Sequence, residues 1–172
     1  MTRGFRKLVL TAHVTFAVGW SGAVASFLVL AIAGLASQDA QTVRGVYLAM
    51  DLIARFAIVP LSIAPLITGP ALSLLTPWGL FEHYWVVAKL LITMLSTLIM
   101  QLHMQPIADL AAAAAASGNF GADLHGMQIQ MVVASGAALS ALVVATALGV
   151  FKPQGMTPYG WRKYEERANS AA

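Results

Sequence analysis

Four apolar stretches, each about long enough to cross a membrane, fill most of this 172-residue chain. They run over about 8–35, 46–75, 84–103 and 128–151. A helix needs roughly 20 mainly apolar residues to cross bilayer hydrocarbon. Hydrocarbon offers no hydrogen bonds, so a spanning segment must satisfy its own backbone, and the α-helix does so. The sequence therefore predicts an all-α fold, a four-helix transmembrane antiparallel bundle over residues 1–151. Residues 152–172 read as a cytoplasmic tail, interfacial or disordered, with Tyr159, Trp161 and Tyr164 set among charges.

Composition agrees. The chain is 59% hydrophobic and 10% charged, which does not fit a soluble domain of this length. Four spans with short connections leave no room for a second domain. The absence of cysteine excludes disulfides, iron–sulfur clusters and thiolate metal sites. The first stretch follows Arg3, Arg6 and Lys7, as a signal peptide would. Its apolar run is about 28 residues against roughly 7–15 for a signal sequence, so it reads as a retained span.

Charge placement sets the orientation. Arg3, Arg6, Lys7, Lys152, Arg162, Lys163 and Arg167 fall on one side, and Arg44 alone flanks a span on the other. Basic residues mark the cytoplasmic face, so both termini are expected in the cytoplasm. The net charge of +3 is thus a topology signal, and no nucleic-acid partner is expected. The expected partners are membrane lipid and a quinone, porphyrin or other membrane-soluble substrate, with self-association open.

The connections fit this plan. Residues 76–83 read as a tight turn with aromatic anchors. The stretch 105–126 reads as the longest external segment, its alanine run 111–116 forming a short surface helix before a Ser-Gly-Asn turn. Pro60, Pro65 and Pro70 should kink or partly unwind the second span, since each removes a backbone donor.

Ionisable groups inside spans are costly and mark candidate sites. They are His13, Asp51, Arg55 and Lys89. His13 and Lys89 each lie five residues into an ascending span, about 8 Å deep on the cytoplasmic side. Two nitrogen-bearing groups at one depth make sense if both are neutral, if an anion lies between them, or if both approach a metal. His13 shares a helix face with Trp20, and Lys89 shares one with Trp85. Gly19, Ser21, Gly22, Ala23 and Ala25 thin the first span, which allows close packing or leaves room for a flat ligand. Lys89 can instead snorkel towards Glu82.

Asp51 and Arg55, four apart with the acid first, suit an ion pair. Arg55 could instead hold a carboxylate, with Asp51 as its resting partner. On the external side stand Met100, His103, Met104, His125, Met127 and Met131. Thioether and imidazole suit copper(I), although methionine also fills core gaps. Pairing His13 with His83 and His103 with His125 would suit a two-haem bundle, but His83 and His125 lie too near loops to grip a buried porphyrin.

The segment His13-Val-Thr-Phe-Ala-Val-Gly-Trp20-Ser-Gly resembles the first span of HemJ-type protoporphyrinogen oxidases and CopD-like membrane proteins. Trp85-Val-Val-Ala-Lys89-Leu-Leu, on a span ending at His103, resembles their later Trp-x-x-x-Lys-Leu segment. The run 60–69 followed by Thr76-Pro-Trp-Gly-Leu-Phe-Glu-His-Tyr-Trp85 resembles a family of uncharacterised actinobacterial integral membrane proteins over about residues 8–105. The resemblance implies a bacterial plasma-membrane protein with a b-type haem between His13 and Lys89. The Lys89–His103 interval is longer than in HemJ-type chains, and not all the expected charged residues are present, so haem binding can carry over without oxidase activity. The resulting expectation is electron transfer or oxidation of a membrane-soluble substrate. The competing classes are copper handling at the external cluster and a structural subunit of a larger membrane complex.

The charge asymmetry predicts that a reporter fused to the C-terminus is active only in the cytoplasm. Activity confined to the opposite side would overturn the orientation.

Overall fold

The computed structural model describes residues 3–76, 79–116 and 122–170. Its elements are α1 (Arg3–Ala36), α2 (Ala40–Ile53), a π-helical turn (Ala54–Ile58), α3 (Val59–Leu74), α4 (Tyr84–Ala116), α5 (Ala122–Phe151) and α6 (Pro158–Ser170). Among the described residues, four helical units are long and apolar enough to cross a membrane, with α2, the π turn and α3 forming one of them. The molecule is a multi-pass all-α membrane protein. Its four spans form a square in which α1 and α4 each pack against α2–α3 and α5.

The helices outrun the hydrocarbon. At 1.5 Å per residue, the 33 residues of α4 extend about 50 Å, against about 30 Å of bilayer core. The surplus lies mostly at the end away from Arg3, and corrects the expectation for residues 105–126. The alanine run is no separate surface helix, because α4 continues through Pro106 to Ala116. Ile107, Leu110 and Ala114 are buried in the core cluster with Val43, Tyr47 and Met50 of α2. Small side chains are what let these helices close on each other. The expected Ser-Gly-Asn turn lies outside the described residues.

The second span starts earlier than expected, at Ala40, where Asp39 caps it by accepting from the Thr42 N–H at 2.8 Å. Its departure from α-helical geometry falls in the turn before Pro60. A proline lacks the N–H and crowds the carbonyl four residues back, here that of Phe56. The chain widens into a π turn, and the Val59 N–H reaches the Ala54 carbonyl. Farther along, the Thr97 hydroxyl of α4 shares its one hydrogen between the Thr93 carbonyl of its own helix at 2.9 Å and the Ser62 carbonyl of α3 at 3.2 Å. Close approach also shapes the opposite end: a Cβ on Gly34 would lie 2.8 Å from Tyr47 Cζ, so only bare backbone lets that ring lie against α1.

The C-terminal stretch is an ordered helix docked on the connection before α4. Thr157 caps α6, accepting from the Gly160 N–H at 3.0 Å while donating to the Phe81 carbonyl at 2.5 Å. Pro158 follows at the first helical position, where its missing donor costs nothing. The Thr157 N–H donates to the Glu82 carbonyl at 3.0 Å, and His83 and Met156 form an antiparallel bridge. A Cβ on Gly160 would sit 2.3 Å from that carbonyl oxygen, so the seat requires glycine. The buried Glu82 carboxylate binds Lys163 at 2.8 Å and Arg167 at 3.3 Å. Pro77 and Trp78, expected in this turn, lie outside the described residues.

The Lys163 hydrogen bond, aided by the charges of Lys163 and Arg167, holds the Glu82 carboxyl below the usual carboxylate range. A lowered folded pKa gives stability that is complete above the unfolded pKa and lost as pH falls through the folded one. Glu82→Gln at neutral pH, or acidification of the wild type, should therefore raise amide exchange of residues 158–170. Unchanged exchange in both would show that α6 docks without this carboxylate.

Candidate functional site

Between α1, α3, α4 and α5, at the end that carries Arg3, lies a cleft of about 560 Å³. His13, Lys89 and Trp85 all line it, together with Arg6 and Lys152 at the helix ends. No carboxylate is among the described lining residues. The remaining wall is apolar, with Leu10, Val14, Pro65 and Leu90, and hydroxyls from Ser73, Thr93 and Thr146. An acid-free cleft with cations and apolar walls suits an anionic amphiphile.

The imidazole is oriented by α3. Thr68 has one hydroxyl hydrogen and gives it to the Ala64 carbonyl at 2.8 Å. Its oxygen therefore accepts from His13 Nδ1–H at 2.9 Å. In the neutral ring this puts the proton on Nδ1 and leaves the Nε2 lone pair for another partner. Histidine ligands are commonly fixed this way, one nitrogen held by the protein and the other on the metal. The ring rests on bare backbone, since a Cβ on Gly69 would lie 3.3 Å from His13 Cε1.

Lys89 lies within Coulomb reach of His13. Its amine packs over α5, where a Cβ on Gly149 would sit 2.7 Å from Nζ. No ion pair or hydrogen bond to Nζ occurs among the described residues. The expected reach towards Glu82 is not made, because Lys163 and Arg167 already hold that carboxylate.

Other expected site residues go elsewhere. Trp20 is buried in the core with Val24 and Phe27 and is not among the residues lining the cleft. Its indole Nε1 has no hydrogen-bond partner among the described residues. Asp51 and Arg55 do form the ion pair, at 2.8 Å, but outside the cleft. Thr97 opposite Ser62 sets the antiparallel register of α4 and α3. Counting outward, Arg55 falls about level with Met104 and Asp51 about level with Ala108, towards the polar far end. The pair is therefore shallower than a mid-span charge and has no route to His13.

The methionines at the end away from Arg3 serve packing. Met131 is fully buried, and Met100, Met104 and Met127 pack against the same core. His125 bonds Gln128 at 3.2 Å, and His103 Nδ1–H donates to the Ile99 carbonyl at 2.8 Å. No cluster of three or more His, Cys, Asp or Glu side chains suited to a metal occurs among the described residues. The small residues of α1 do not form the cleft either: Gly19 packs against Leu61, and Gly22 faces open space.

Gly69, Gly149, Arg6 and Lys152 complete the cleft, and Thr68 holds His13 from behind; none of these was foreseen. A signal existed for Thr68 and Gly69: a hydroxyl and a glycine lie side by side in the descending span at about the depth of His13. Nothing in the sequence brings Gly149 to Lys89, because that pairing depends on which helices are neighbours. No known protein family, curated protein or solved structure matches this chain.

Thr68→Val keeps the shape of the side chain and removes the acceptor. A buried donor left unsatisfied costs about 1–3 kcal/mol. The variant should unfold at lower temperature in detergent, whereas Thr68→Ser should retain wild-type stability. Equal melting of all three proteins would dissociate His13 from Thr68.

Proposed function

We propose that this chain is a haem b-binding integral membrane protein of the bacterial plasma membrane, acting in electron transfer or in oxidation of a membrane-soluble substrate. The observation that carries the reading is His13, which lines a cleft with no carboxylate among its described lining residues and is tethered through Nδ1–H to Thr68. The cleft volume of about 560 Å³ falls within the range of ligand sites, roughly 300–1,000 Å³. The resemblance of the His13–Trp20 and Trp85–Lys89 segments to HemJ-type chains points the same way.

The residues fit the group. His13 Nε2 would hold the iron, with the ring's direction set by the Thr68 bond. Lys89 offers either a second nitrogen donor or a counter-charge for a propionate. Arg6 and Lys152 stand at the rim, where carboxylates of an amphiphile with an apolar body would meet water. Bound haem supplies reversible one-electron chemistry, with potential tuned by its ligands and the dielectric around it. Pro65, Leu90 and Val14 exclude water from the walls. Copper handling at the far end is supported less, because its methionines pack against the core and His125 bonds Gln128.

The test is an absorption spectrum of purified protein, oxidised and then dithionite-reduced. A Soret band with α and β bands that sharpen on reduction is expected. His13→Ala should abolish or shift the Soret band while the protein still inserts, and Asp51→Asn should leave it unchanged. Lys89→Met should shift spectrum and potential if the amine ligates, and Lys89→Arg should preserve both if it only balances charge. A colourless wild-type protein would refute the reading.

A further inference from the structure

A second cavity, of about 330 Å³, lies farther from the basic end and is walled by α1, the π turn, α4 and α5. Ile92 lines it and the adjacent Thr93 lines the His13 cleft, so the two spaces neighbour each other along α4. Its mouth faces outward between α4 and α5, since Leu95 and Ile99 line it and are 57% and 41% exposed. In a membrane that surface meets lipid, so whatever enters there arrives dissolved in the bilayer.

The walls are apolar apart from His103, Ser96 and Ser135. Each of the three has a definite hydrogen-bonding capacity. His103 gives its Nδ1–H to the Ile99 carbonyl at 2.8 Å, and a carbonyl can only accept. The neutral ring then offers Nε2 as an acceptor, met by the exposed Gln130 amide at a long 3.4 Å. Ser135 gives its hydrogen to the Met131 carbonyl at 2.6 Å and is left with lone pairs. Ser96 makes no hydrogen bond among the described residues, which leaves its O–H as a donor.

We propose that this cavity binds the headgroup of a membrane-soluble quinol, an aromatic ring with para oxygens and an apolar tail. Ser96 and His103 are seven residues apart on one face of α4, about 10 Å along the axis. A six-membered ring with an oxygen at each end can present one oxygen to each of these two groups. One hydroxyl donates to His103 Nε2, and the opposite oxygen accepts from Ser96. Val24, Phe27 and Ile58 contact the ring's apolar surface, and the tail leaves between α4 and α5 into lipid. A fatty acyl chain would need neither polar group, and a charged headgroup would find no counter-ion among the lining residues. The proposal deepens the redox reading by naming the membrane-soluble partner; it rests on that reading for the ligand's purpose but not for the site itself.

The experiment uses the full chain in lipid nanodiscs, kept anaerobic, with empty nanodiscs as the partition control. The probes are a short-alkyl 1,4-dihydroxynaphthalene and its 1,4-dimethoxy ether, which cannot donate. Binding is read by probe fluorescence. The wild type should bind the diol about tenfold tighter than the ether, the effect of a hydrogen bond worth about 1.4 kcal/mol. His103→Leu should erase that preference, and Ala138→Phe, which fills the cavity, should abolish binding of both probes. Equal binding of diol and ether by the wild type, or diol binding that survives Ala138→Phe, overturns the proposal, and the first comparison needs no variant to fold. The Soret band of the same samples separates the two readings. Diol binding without a Soret band removes the haem and keeps this site; a Soret band without diol binding does the reverse.

Discussion

Hydrocarbon solvates neither a free amide nor a free charge, and the architecture follows from how this chain meets that condition. The second span is the hardest case, because Pro60, Pro65 and Pro70 each withdraw a donor from one helix. The π turn before Pro60 accommodates the first. Serine and threonine hydroxyls elsewhere turn back on their own helices: Ser135 on Met131, Thr93 on Lys89 and Thr146 on Leu142. Few polar hydrogens are left uncommitted, so those that face a cavity carry information.

The same condition explains why the two cavities differ. The cleft near the basic end opens where Arg6 and Lys152 reach water, so it can hold nitrogen-bearing side chains without internal counter-ions. The cavity farther along lies among Leu95, Ile99 and Ala138 and admits only neutral hydrogen-bonding groups. Gly69 and Gly149 give the first cleft its room, since a methyl group at either position would press on His13 or Lys89. The packing of the helices and the electrostatics of the site are therefore one arrangement.

Docking of α6 couples the tail to this end of the bundle. Glu82 is the anchor, held by Lys163 and Arg167 and by backbone bonds that require Gly160. The connection it fixes leads directly into α4, which presents Trp85 and Lys89 to the cleft. The tail thus positions the start of the helix on which the site depends, although no residue of α6 itself lines the cleft.

Length and apolarity alone determined the all-α bundle, the number of spans and the separation of basic from neutral ends, because bilayer thickness admits few alternatives. The i,i+4 spacing likewise determined the Asp51–Arg55 pair, since one helix contains the whole interaction. Tertiary structure decided what depends on neighbours. Trp20 shares a face with His13 by spacing, yet the helices around it close over the indole and leave His13 to the cleft. Residues 105–116 look like a loop because polar residues and alanines interrupt the apolar run, yet α2 extends beyond the membrane and gives α4 a surface to pack on. Lys89 could not be assigned a partner from sequence because Glu82, the nearest acid along the chain, is claimed by a helix about 80 residues away. Periodicity fixes which way a side chain leaves its own helix; what it meets there is set by the register of the other three.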